Sequence, residues 1–248
     1  MKTKVAVIGG TGLTSINGLE ISNQEIVKTP YGEPSGPLIQ GEFCSNRVYF
    51  LSRHGAGHTI PPHKVNYRAN IWALKNAGVE QVISINAVGG IHNDMQPGTL
   101  IIPDQVIDYT TSRTNTFFEE GLSQVVHVDF TDPFCESLRQ SIINSANKNS
   151  INIIEQGTYA ATQGPRLETA AEINRLENDG CHLVGMTIMP EAALAREQEL
   201  CYASISVVAN LAAGRGIEDL TMDVIEKNLN NGMEQVRKLL GVIIPSLN

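Results

Sequence analysis

Val5-Ala6-Val7-Ile8-Gly9-Gly10-Thr11-Gly12 sets four apolar residues directly against a glycine-rich turn. A run that short and that apolar reads as a buried strand, and the glycines after it permit a tight bend and close backbone approach. Outward from this segment the pattern repeats. Strand-length apolar runs at Arg47–Leu51, Gln81–Ala87, Thr99–Ile107, Ile151–Ala161, His182–Met186 and Tyr202–Ala209 alternate with segments of helical period. The helices predicted are Lys64–Asn76, Pro133–Asn147, Glu168–Asn178, Glu191–Glu199 and Thr221–Leu240, the first with Val65, Ala69, Trp72 and Ala73 on one face and Gly78 as its stop. Such alternation predicts an α/β protein with a central, mostly parallel or mixed β-sheet. No linker or repeat divides residues 1–248, so a single domain is expected. The turn-rich stretch Thr29–Gly41 reads as a surface connection, and the irregular stretch Ser112–Asp132 as a long loop of the kind that serves as a lid or a subunit contact.

Composition removes several classes of partner. There are 18 Lys and Arg against 26 Asp and Glu, with no run of five basic residues, so no nucleic-acid face is expected and an anionic ligand needs a small local site. The longest apolar run, Tyr202–Ala213, is broken by Ser204, Ser206 and Asn210 and falls short of the roughly 20 residues a spanning helix needs, so no membrane partner is expected. The first apolar stretch stops at Gly9, too soon for a signal-peptide core, which predicts a cytoplasmic protein. Cys44, Cys135, Cys181 and Cys201 show no CxxC spacing, so reduced, buried thiols are expected rather than a zinc ribbon or a disulfide framework.

Several strand ends carry chemistry. Gly9–Gly12 can cradle an anion with Thr11 as hydroxyl donor, although the third glycine of a dinucleotide fingerprint is replaced by Ser15, which weakens an oxidoreductase reading, and no P-loop lysine follows. Arg53-His54-Gly55 follows the second strand, where open α/β sheets bind ligands and a guanidinium fork suits phosphate. Nearby His58 and His63 read as surface or packing residues, and without HExxH or a supporting carboxylate no metal site is expected. Asn86-Ala87-Val88-Gly89-Gly90 reads as another glycine turn at a strand exit, able to present backbone N–H groups. Glu168 is placed in a first helical turn, where a carboxylate gains ~0.3–1 kcal/mol from the helix dipole whatever else it does. Asn210, at the end of an apolar strand, can donate and accept toward a heterocycle's edge, or simply form a turn.

Taken together, GGTG, RHG, HKVNYRANIWAL, NAVGG, TQGPRLET, VGMTIMPEAALARE and CYASISVVAN resemble the trimeric purine nucleoside phosphorylase and methylthioadenosine phosphorylase family, from Val5 to about Leu240. The resemblance implies a homotrimer that cleaves a purine nucleoside with inorganic phosphate as co-substrate and no cofactor. It implies phosphate contacts for Thr11, Arg53, His54, Ala87 (through its N–H) and Thr187, ribose packing for Met186, and base contacts for Glu168, Asn210 and the adjoining Leu167. His127 resembles a residue that reaches into a neighbouring subunit's sugar site.

Departures within the family suggest the substrate. The methylthioadenosine branch has Ser at the place of Glu168 and aspartates at the places of Asn210 and Ala212, so the base site here resembles that for a 6-oxopurine. Its N1–H can donate to Glu168, whereas adenine N1 would face the carboxylate lone pair to lone pair, at a cost of about 1–3 kcal/mol. Where the 6-oxopurine branch binds the 5′-hydroxyl with a histidine, this chain offers Met222 and Ile225, resembling a methylthio pocket. That combination fits S-methyl-5′-thioinosine, with inosine or guanosine and methylthioadenosine as the alternatives. The methylthioadenosine branch also covers this pocket with a C-terminal extension, whereas this chain ends at Asn248.

Overall fold

The computed structural model describes residues 3–10, 18–216 and 222–247, the side chains of 222–227 excepted. In chain order the strands and helices are β1 Val5–Gly9, β2 Glu20–Glu25, β3 Leu38–Phe43, β4 Asn46–Ser52, α1 Tyr67–Asn76, β5 Gln81–Gly90, β6 Leu100–Ile101 and β7 Gln105–Asp108. There follow α2 Glu136–Lys148, β8 Ile153–Ile154, β9 Thr158–Ala161, α3 Ala170–Asn178, β10 Leu183–Gly185, α4 Ile188–Glu197, β11 Cys201–Leu211 and α5 Met222–Ser246. The strands form one mixed sheet, as the alternating pattern predicts.

β5 is its axis. Along one edge it pairs in parallel with β11 from Gln81 to Gly90. Along the other it pairs in parallel with β1 as far as Ser84, then antiparallel with β10 at Gly89 and Gly90. β10 leads to β9 and β7, and β11 leads to β6 and β8. Because β6 runs on into β7 and β8 into β9, the two edges of β5 lead round to the same two chain segments, and this half of the sheet closes on itself.

Side-chain alternation sends the strands' residues to two cores. Val5, Val7, Ile83 and Ile85 join Ile205 and Val207 beneath α2 and α5, where Leu138, Ile142, Met233 and Leu240 pack. Ala6, Ile8, Val82 and Tyr202 join the opposite core with Ile71 and Leu74 of α1 and Ala192 and Ala195 of α4. β1 is buried throughout, as a central strand covered on both faces must be, and so reads as uninterrupted apolar sequence.

Several expectations need correction. Leu38–Gly41 belong to β3 rather than to a surface connection, and β2 is an exposed edge strand whose polar residues give no burial signal. The predicted strand Thr99–Ile107 is split around Pro103, which has no N–H for a ladder, and Ile151–Ala161 is split in register with it. Asn86–Gly90 is no turn: β5 continues through it, and Gly90 is required because a Cβ there would meet the Met95 carbonyl oxygen at 2.0 Å. Cys135 and Cys201 form a disulfide across a Cα–Cα distance of 5.1 Å, so they are not thiols; Cys44 is free but exposed, and Cys181 alone is a buried thiol. The pairing is made by tertiary structure, since the Cys135 N–H donates to the Tyr202 carbonyl and holds the cap of α2 against the start of β11.

Candidate active site

Between the end of β1 and the start of β10, no strand among the described residues pairs with the edge of β5 at Ile85–Val88. A cavity of about 630 Å³ opens there, within the range of small-molecule sites. Successive peptide groups of a strand face opposite edges. The Ile85 carbonyl points into the gap, where it accepts from Arg53, and Ala87, two residues on, turns its N–H to the same edge.

β4 delivers Arg53 and His54 to this gap. The Arg53 N–H donates to the Gly9 carbonyl, which fixes the chain just past both strands. The Arg53 side chain is wholly buried: Nε and Nη2 donate to the two Glu191 carboxylate oxygens at 2.6 and 2.8 Å, Nη2 to Ser84 Oγ at 2.6 Å and Nη1 to the Ile85 carbonyl at 3.0 Å. Burial alone would pull the guanidinium pKa down, but Glu191 more than offsets this and raises it, so Arg53 stays charged. These bonds use four of its five N–H groups. Among the described residues the second Nη1 hydrogen has no acceptor, and Nη1 itself lies beside Gly10, where a Cβ would meet it at 2.8 Å and the Ile85 oxygen at 2.5 Å. Only glycine fits.

The His54 ring is buried, and its Nδ1 lies 2.8 Å from the Ile60 carbonyl. A carbonyl only accepts, so Nδ1 carries the hydrogen and the neutral ring's Nε2 keeps a lone pair. Burial, with the Arg53 charge adding to it, lowers the ring's pKa to about 4. His58 also lines the cavity and lies against His54 with ring centroids 4.3 Å apart, so it belongs to the site rather than to a plain surface. His63 is half-buried and does not line the cavity.

A pH dependence follows. Above pH 6.5 both folded and unfolded chains hold a neutral His54 and it contributes nothing. As pH falls through 6.5 the unfolded chain takes up a proton that the folded chain refuses until about pH 4. Folding stability is therefore lost across that window, by up to about 3 kcal/mol. Urea unfolding in phosphate-free buffer should show a flatter acid limb for His54→Asn than for the wild type; identical limbs would contradict a buried neutral ring.

Polar side chains continue inward from the cavity. Thr187, the residue before α4, donates its hydroxyl to Asn86 Oδ1 at 2.7 Å, and Asn86 Nδ2 donates to Ser204 Oγ at 2.7 Å. Thr187 must turn its hydroxyl away from Asn86 to donate to an anion. Met186 is half-buried and lines the cavity beside it.

The far wall holds Leu167, Glu168 and Asn210. Glu168 precedes α3 rather than lying in its first turn: Thr169 is the N-cap, in a capping box with Glu172, so the dipole account belongs to Glu172. Glu168 Oε1 accepts from Thr162 Oγ1 at 2.6 Å, which orients the carboxylate. Leu167 is half-exposed at the rim. Asn210 does not end its strand, which runs to Leu211 with a register shift between Val208 and Asn210. One Asn210 Nδ2 hydrogen goes to the Leu211 carbonyl at 2.7 Å, leaving the other and Oδ1 for a ligand.

Thr11 lies outside the described residues, as do the side chains of Met222 and Ile225. His127 is exposed on the irregular loop and does not line the cavity. Among the described residues no group of three or more His, Cys, Asp and Glu could hold a metal ion, and no helix is long and apolar enough to cross a membrane.

Comparison with known proteins places the chain in a family. Residues 4–244 match the model of the phosphorylase superfamily. The chain is 50% identical over 242 residues to a probable S-methyl-5′-thioinosine phosphorylase of Pseudomonas syringae pv. tomato, covering 98% of each chain. It is 45% identical to a probable 6-oxopurine nucleoside phosphorylase of Dictyoglomus turgidum, covering 98% of this chain and 92% of that one. Methylthioadenosine phosphorylase from Schistosoma mansoni, solved with adenine, superposes with a TM-score of 0.94 at 33% identity, over 99% of this chain and 92% of that one. With a match across nearly its whole length and the same fold around the cavity, the chain belongs to the phosphorylase superfamily.

Proposed function

We propose that the protein is a purine nucleoside phosphorylase of purine salvage whose preferred substrate is S-methyl-5′-thioinosine, cleaved with inorganic phosphate to hypoxanthine and 5-methylthioribose 1-phosphate. The carrying observation is that one cavity is lined both by Arg53 and His54, suited to an anion, and by Glu168 and Asn210, suited to a purine's edge. The names of its relatives support the reaction class and the methylthio group.

Hydrogenphosphate fits the first pair. The free Nη1 hydrogen of Arg53 and the N–H of Ala87 donate to its oxygens, Thr11 and Thr187 add hydroxyls, and the Nε2 lone pair of neutral His54 accepts its one hydrogen. An unprotonated phosphate oxygen then attacks C1′ as the bond to N9 breaks, and that electron pair passes into the purine, which takes up a proton from solvent to leave as hypoxanthine. Met186 packs on the ribose, with Met222 and Ile225 beside the methylthio group. The protein's part is to position the reactants and place charge, with neither metal nor organic cofactor. We place the reaction in a cytoplasmic homotrimer, with His127 reaching a neighbouring subunit's sugar site; the exposed Val125, Val126 and Val128 around it suit a covered surface.

The decisive experiment is phosphate-dependent base release from equal concentrations of methylthioinosine, inosine and methylthioadenosine, compared as kcat/KM, for wild type and Glu168→Gln. Methylthioinosine should lead, and the variant should lose roughly 10- to 100-fold on both 6-oxopurines with little loss on methylthioadenosine. Preference for inosine would remove the methylthio pocket from this reading. Preference for methylthioadenosine, or equal losses on all three, would remove the Glu168 contact.

A further inference from the structure

Arg113 lies on the irregular loop and is half-buried, and all five of its N–H groups are used. Nε donates to Gln163 Oε1 at 3.1 Å. Nη2 donates to the Thr162 and Gln163 carbonyls at 3.1 and 2.7 Å, and Nη1 to the Met186 and Met189 carbonyls at 2.8 and 2.6 Å. Nη1 also lies 3.4 Å from the hydroxyl of Tyr67, whose ring sits beneath the guanidinium carbon at 5.7 Å and whose hydroxyl donates to the Pro62 carbonyl at the cavity wall. Four of the acceptors are backbone carbonyls, two on each of two segments.

Those segments are the two ends of the site. Thr162 and Gln163 lead into Glu168, whose carboxylate is held by Thr162. Met186 and Met189 bracket Thr187. No ladder bond between strands joins residues 162–163 to 186–189, since β9 and β10 pair only as far as Ala161 and Gly185, the Thr162 N–H to the Gly185 carbonyl being the last backbone tie.

We infer that Arg113 is a positioning residue that sets the spacing between the base-binding carboxylate and the ribose and phosphate wall. This rests on the proposed reaction for its consequence and on the hydrogen bonds alone for its structural part. A ligand that touches one wall feels little of this spacing; a nucleoside, which must reach both, feels all of it. A lysine, with three donors on one nitrogen, cannot span five acceptors in a planar fork.

The test uses Arg113→Ala and Arg113→Lys in the full chain. Misplacement of about 1 Å costs on the order of 100-fold, so kcat/KM for methylthioinosine should fall by about that factor in Arg113→Ala. Dissociation constants for free hypoxanthine and for phosphate should change by less than about threefold, because neither ligand bridges the walls. Millimolar guanidinium should restore at least about tenfold of the lost rate, and methylammonium should not. Hydrogen exchange should rise together in 162–168 and 186–189, in Arg113→Lys as well should the alanine variant fail to fold. Unchanged exchange in those segments, or a loss of hypoxanthine and phosphate binding as large as that of nucleoside turnover, would overturn the inference. If the wild type cleaves no purine nucleoside, the proposed reaction falls, and the exchange measurement still decides whether Arg113 joins the walls.

Discussion

Glu191→Ala is expected to destabilise the folded protein by about 3–5 kcal/mol and to raise the KM for phosphate at least tenfold. The magnitude comes from what the substitution leaves behind. Arg53 and Glu191 are both 0% exposed, and the carboxylate accepts two guanidinium bonds while Oε1 also accepts from Ser84 Oγ and Tyr202 OH, each at 2.8 Å. Removing it strands a buried charge and two buried hydroxyls, and breaking a buried pair from one side carries a cost of that size. Total stabilities are about 5–15 kcal/mol, so the variant should be visibly weakened yet foldable. Removing both partners is a different experiment. Arg53→Met with Glu191→Met leaves no buried charge, so the double variant should be more stable than either single one while lacking phosphate-dependent activity. Urea unfolding of the four proteins checks the cycle, and a loss below about 1 kcal/mol in Glu191→Ala would mean the pair is solvated in solution.

This cluster also separates what can be read in the sequence from what cannot. Arg53 and His54 are legible because polar, ionisable residues interrupt an apolar run at its C-terminal end. Glu191 is not, because a carboxylate in the first turn of a helix satisfies the dipole on its own account, and its partner is 138 residues away. Ser84, Asn86 and Ser204 look like defects in two apolar strands; only the parallel register that sets Ser84 beside Ser204 makes them a polar seam leading to Thr187. Arg113 is the hardest case, since an arginine in a polar loop has the local signature of any solvated surface charge.

The strands divide along the same line. β1, β4, β5, β10 and β11 are mostly buried and announce themselves as predominantly apolar runs. β2 is exposed at all six positions and owes its existence to pairing with β3, which no local pattern records. The Cys135–Cys201 disulfide depends likewise on how α2 meets β11 and not on spacing.

Asn210→Ala should lower kcat by roughly 100- to 1,000-fold while changing KM by less than about threefold, because its contact strengthens only as the reaction proceeds. In the ground state purine N7 is a neutral acceptor, and one hydrogen bond to it contributes about 1 kcal/mol. As the bond to N9 breaks, charge accumulates on the ring and the same Nδ2 donor meets a partial anion. The strand irregularity between Val208 and Asn210, and the bond from Asn210 to the Leu211 carbonyl, fix the amide before substrate arrives, so no reorganisation is needed during the step. Asn210→Asp keeps the shape but turns an acceptor, and a negative charge, toward the leaving group; it should be at least as slow as alanine. Single-turnover base release at saturating phosphate separates the chemical step from product release. An unchanged chemical rate in Asn210→Ala would remove the leaving-group role, and a rise in KM without loss of kcat would reduce Asn210 to a ground-state contact.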